Sequence, residues 1–107
     1  MDRKLHSHRA ELAWPILVGA AKRGQPLSYK ELGEKIGAHW RAASWFLGVI
    51  QRYCASKGLP RLQALVVNQR TRVPGKGYAG RRGQRAHQRE LERVRAYHWP
   101  KKAPLKK

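Results

Sequence analysis

The chain is 107 residues long, enough for one modest core and not for two. It sets 24 lysines and arginines against 6 aspartates and glutamates, and this formal charge of +18 makes a polyanion its natural partner. No apolar run is long enough for a bilayer and no lipid-anchoring motif is present, so nucleic acid is favoured over a membrane; the single cysteine, Cys54, excludes an internal disulfide and a cysteine-built zinc site.

Residues 1–8 read as a basic N-terminal tail with no apolar leader, from which a cytoplasmic location is expected. Leu5-His6-Ser7-His8 offers two imidazoles two residues apart, but no third ligand converges on them and no metal site is expected. From about Arg9 to Lys22 the apolar positions Leu12, Ile16, Leu17 and Ala20 recur at helical spacing. Pro15 either opens a helix that begins near Trp14 or kinks a longer one, and Gly24-Gln25-Pro26 ends it.

Ser28-Tyr29-Lys30-Glu31 is a capping-box pattern, with the Ser28 hydroxyl set to accept from the Glu31 amide and the Glu31 carboxylate from the Ser28 amide. The short helix it opens turns Leu32 and Ile36 inward and stops at Gly37. His39 to Cys54 is the stretch around which the chain is organised. At about 100° per residue Ala43, Phe46, Leu47, Ile50, Tyr53 and Cys54 share one face. Arg41, Trp45 and Arg52 line the other, beside the small residues Ser44, Gly48 and Ala55. Two helices so closely joined, the second with a basic outer face, form a helix-turn-helix pattern.

Lys57-Gly58-Leu59-Pro60 closes that helix, and Ala64-Leu65-Val66-Val67 reads as a short strand. Asn68 to Gly77 is a turn-rich loop from which Arg70, Arg72 and Lys76 project, and a return at Tyr78 makes strand and loop the hairpin wing of a winged helix. Gly83 precedes a last helix to about Trp99, with Leu91, Val94 and Tyr97 or His98 on one stripe among many arginines, and residues 100–107 form a basic C-terminal tail. The expected fold is α+β and mostly helical: one winged helix-turn-helix domain over residues 9–99, with a short β-hairpin wing and a C-terminal helix.

Catalytic chemistry finds little to work with. His39, His87 and His98 are scattered, Glu31 is used in capping, and no Ser-His-acid set, paired carboxylates or phosphate loop stands out. Gly75-Lys76-Gly77 lacks P-loop spacing. No enzymatic activity and no cofactor are expected.

Ser28-Tyr29-Lys30-Glu31-Leu32, Ile36-Gly37, Arg41-Ala42-Ala43, Leu59-Pro60, Val66-Val67 and Gly77-Tyr78-Ala79-Gly80 follow one another in an order that resembles the C-terminal DNA-binding domain of alkylguanine-DNA alkyltransferases and the smaller alkyltransferase-like proteins, over roughly residues 10–98. The resemblance implies that Tyr29 touches the DNA backbone. It also puts the family's base-replacing arginine at Ser44, and its Pro-Cys-His-Arg motif at Leu62-Gln63-Ala64-Leu65, so that both the finger and the nucleophile are missing.

The sequence therefore points to a non-enzymatic winged-helix protein that binds double-stranded DNA in a regulatory or architectural role. Arg41, Ser44, Trp45 and Arg52 would face a groove, and Tyr29, Lys30, Arg70, Arg72 and Lys76 would meet phosphates. The other reading is an adaptor or inhibitor module from a mobile element, whose Trp45 and flanking arginines engage a protein or ribonucleoprotein complex.

Overall fold

The computed structural model describes residues 3–39, 42–70 and 84–104. Helix α1 runs Arg3–Arg23, α2 Tyr29–Ile36, α3 Ala43–Lys57 and α4 Gln84–Ala96, with a 3-10 helix at Leu62–Leu65. The strands β1 (Leu27–Ser28) and β2 (Val66–Val67) pair in parallel, Leu27 opposite Val66 and Ser28 opposite Val67. Among the described residues the fold is thus mostly helical with one two-stranded parallel sheet.

The long helix α1 is the element on which α2, α3, α4 and the 3-10 helix all pack. It begins at Arg3, so the stretch expected to be a basic tail is helical, and it continues through Pro15 instead of starting there. Proline removes the amide that the Glu11 carbonyl would accept from. The loss is tolerable because Pro15 lies on the exposed side and Glu11 is only partly covered. The inward stripe is Ala10, Ala13, Trp14, Leu17, Val18 and Ala21. Leu17 and Ala20 are buried as expected, whereas Leu12 is 41% exposed and Ile16 only half-buried. The alanines let the other helices approach α1 closely around the one large side chain, Trp14.

Trp14 is fully buried, and its indole holds the end of the described chain. Its Nε1–H donates to the Pro100 carbonyl at 2.8 Å, and its ring meets Tyr53 and Trp99 edge-on at 5.9 and 5.7 Å. Trp99 in turn donates to the Val94 carbonyl at 2.7 Å. Helix α4 ends at Ala96, so Trp99 fills the place on the stripe expected for Tyr97 or His98, both of which are exposed.

The capping box forms as its spacing predicts: the Glu31 amide donates to Ser28 Oγ at 3.0 Å and the Ser28 amide to Glu31 Oε1 at 2.8 Å. Gly37 then closes α2 in the left-handed region, φ 72°, and the Ala38 amide donates to the Gly33 carbonyl. A side chain there would be strained, which makes glycine the residue that sets the turn into α3. Helix α3 starts at Ala43, four residues later than its apolar pattern suggests, and its inward face is the expected one: Ala43, Phe46, Leu47, Ile50 and Cys54 are buried and Tyr53 partly so.

The run Ala64–Val67 divides. Ala64 and Leu65 belong to the 3-10 helix, and only Val66 and Val67 are extended. Both valines are fully buried, which suits a parallel interior strand better than a hairpin arm with one wet face. The loop beyond Arg70, with Arg72, Lys76 and the return at Tyr78, lies outside the described residues.

Candidate nucleic-acid interface

The small sheet brings two of the expected contact groups to one edge. Because β1 and β2 run parallel, Tyr29 and Lys30, which open α2, leave the sheet at the same end as the Asn68–Arg70 turn. Lys30 is exposed and Tyr29 half-buried against the core. Asn68 Oδ1 accepts from the Arg70 amide at 2.9 Å, fixing a turn from which the Arg70 side chain is exposed. Lys30 and Gln69 line one shallow depression together with Ser28, but Glu31 and Glu34 line it too. The two carboxylates make its floor a poor phosphate seat, so a phosphate is better met by the exposed Lys30 and Arg70 side chains.

The second group lies on the outer face of α3. Trp45, Gly48 and Arg52 fall on one stripe by their spacing, and the Arg52 guanidinium lies over Gly48, 3.4 Å from where a Cβ would stand. Arg52 is exposed and Trp45 is 49% exposed. The residue that sequence reasoning missed is His6: its imidazole stacks on the Trp45 indole, ring centroids 5.5 Å apart and planes within 15°. With residues 1–8 read as a tail, nothing pointed to that contact. Arg41 and the side chain of Ser44 lie outside what is described.

Helix α4 supports this framework through polar groups buried at its inner face. Glu90 accepts from the Arg61 amide at 2.7 Å and from the guanidinium of Arg93 at 3.1 Å. His87 is buried with Nε2 2.8 Å from the Ala64 carbonyl. A carbonyl only accepts, so Nε2 carries a proton and is engaged. Among the described residues no three His, Cys, Asp or Glu side chains cluster as metal ligands. Burial pushes the Cys54 thiol up from its ordinary range, a shift the Leu62 backbone hydrogen bond opposes and the Glu90 charge reinforces. A raised thiol stays protonated at neutral pH and is a poor nucleophile.

Among the described residues no helix is long and apolar enough to cross a membrane. The ion pairs Arg61–Glu90 and Arg93–Glu90 use one carboxylate for two guanidinium groups, which leaves the positive balance nearly untouched. Set against family models, curated proteins and solved structures, the chain matches none of them.

Proposed function

We propose that the chain is a non-enzymatic winged helix-turn-helix protein of the alkyltransferase-like kind, which binds double-stranded DNA mainly through the phosphate backbone in a regulatory or architectural role. The observation that carries this reading is the α2–Gly37–α3 unit: its second helix buries Phe46, Leu47 and Ile50 on one face and turns Trp45 and Arg52 outward, in a chain of charge +18. With the Arg52 guanidinium lying over Gly48, an aromatic ring and a cation share one outer surface that can meet a groove wall. The exposed cations Lys30 and Arg70 follow the same end of the sheet and would fix the register on the backbone. The loop with Arg72 and Lys76 serves as the wing in this reading. Leu62-Gln63-Ala64-Leu65 in place of a cysteine motif, with Cys54 buried, favours binding without chemistry.

Fluorescence anisotropy with a labelled duplex at two salt concentrations tests the proposal. Affinity should fall roughly tenfold or more for each doubling of salt, and Arg52→Ala and Arg70→Ala should each lower the log–log slope by about one. A sample that ignores polynucleotides at low ionic strength would end it.

A protein or ribonucleoprotein partner is favoured by a different observation: Leu5 and Leu12 are 40% and 41% exposed, one stripe of α1, on the helix that also carries His6 against Trp45. Co-purification that survives nuclease treatment would support that reading.

A further inference from the structure

We infer that the open face of the Trp45 indole is a stacking seat for an unpaired nucleobase, held at a fixed angle by His6, so that the chain prefers nucleic acid with a base outside the duplex stack. The inference deepens the nucleic-acid reading above and depends on it.

The position of His6 is what makes the stack informative. Counting along α1, His6 continues the inward stripe of Ala10, Ala13 and Leu17, one turn beyond where the packed core ends. Its ring nitrogens are both out of contact with water and have no hydrogen-bond partner among the described residues. Burying two such nitrogens is unfavourable, and an alanine, like its neighbours on the stripe, would carry no such penalty. The contact that the imidazole does make is face to face, with Trp45.

That contact covers one side of the indole only. Trp45 remains 49% exposed although a second ring lies against it, so about half of the side chain is open to a third planar group. An exposed tryptophan with no neighbour would sample several rotamers and lose that freedom on binding. One braced by a near-parallel ring is already arranged, and the loss is smaller. The occupant is chosen by the surroundings. Arg52 lies about two turns further along the same stripe, its guanidinium folded back over Gly48, where it can meet the phosphate attached to a stacked base. A base inside an intact duplex has both faces covered by its neighbours and cannot use the seat. A bulged or single-stranded base can.

The test compares a paired duplex of about 20 base pairs with the same duplex carrying one bulged 2-aminopurine. The full chain should bind the bulged duplex on the order of tenfold more tightly. It should also quench 2-aminopurine fluorescence below the level of the free DNA. Trp45→Leu should remove the preference, Trp45→Phe should retain part of it, and His6→Ala should reduce it. Equal affinity of the unaltered chain for both duplexes, or a preference that survives Trp45→Leu, overturns the stacking seat and leaves backbone binding standing. Failure to bind either duplex overturns both.

Discussion

Glu90 gives the sharpest check on how the framework is held. Its side chain is 10% exposed and receives three donors, which differ greatly in worth. The Arg93 guanidinium, 56% exposed at 3.1 Å, is a surface ion pair of about 0.2–1 kcal/mol. The Arg61 guanidinium is 3.5 Å away and 41% exposed, so its share is at the bottom of that range, near ~0.2 kcal/mol. The Arg61 backbone amide, at 2.7 Å, makes a short bond to an ionised acceptor in a part-buried position, worth about 1.5–3 kcal/mol. No substitution at position 61 other than proline removes that amide. Glu90→Ala should therefore cost about 2–3 kcal/mol, Glu90→Gln, which keeps a carbonyl acceptor, about 1 kcal/mol, and Arg61→Ala with Arg93→Ala together about 1 kcal/mol or less. In thermal unfolding followed by circular dichroism, Glu90→Ala should lower Tm by roughly 10 °C or more. If the double arginine variant loses as much as Glu90→Ala, the amide bond is not the main contribution and the reasoning fails.

Other substitutions test other joints. Gly37→Ala should cost about 1–2 kcal/mol in urea denaturation from backbone strain alone, because φ is 72° and nothing lies within 4 Å of the added carbon. Trp14→Phe removes the donor to the Pro100 carbonyl and should lower stability by about 1–2 kcal/mol, with faster tryptic cleavage at Lys101 and Lys102 as the readout. The Cys54 thiol, raised in the folded state by burial, is protonated there while the unfolded thiol ionises near 9.0. Its contribution to stability is thus complete below that value and is lost as pH rises toward the folded one. Urea midpoints should fall above pH 9 in the native chain and less so in Cys54→Ala, after allowance for the common loss from other groups.

Features set by neighbours in the chain were readable in advance. The capping box needs only Ser28 and Glu31, three residues apart, and the inward face of α3 needs only its own periodicity. What escaped depends on partners far away in sequence. Pro15 is a strong local break signal, and packing along both halves of α1 overrides it. The burial of Trp14 is decided by Tyr53, Trp99 and Pro100, so its pattern on α1 alone could not rank it above Leu12. The pairing of Val66 and Val67 with β1 was not legible, because a two-residue strand carries no mark of its partner; that partner, Leu27–Ser28, lies nearly forty positions earlier. In the candidate interface, Trp45, Arg52, Lys30 and Arg70 were legible as exposed positions. His6 was not, since its role exists only once α1 extends to Arg3 and crosses the start of α3.

The hydrogen bond from Trp14 to Pro100 also bears on how the chain is born. Of the described elements α1 is made before those that pack on it, yet the ring and carbonyl that seal its central indole come from residues 99 and 100. Until those are available, Tyr53 alone of its ring partners can meet Trp14 and the indole N–H lacks its acceptor, a state prone to non-native association. Chains ended before Trp99 should therefore stay bound to chaperones longer than chains that include Pro100.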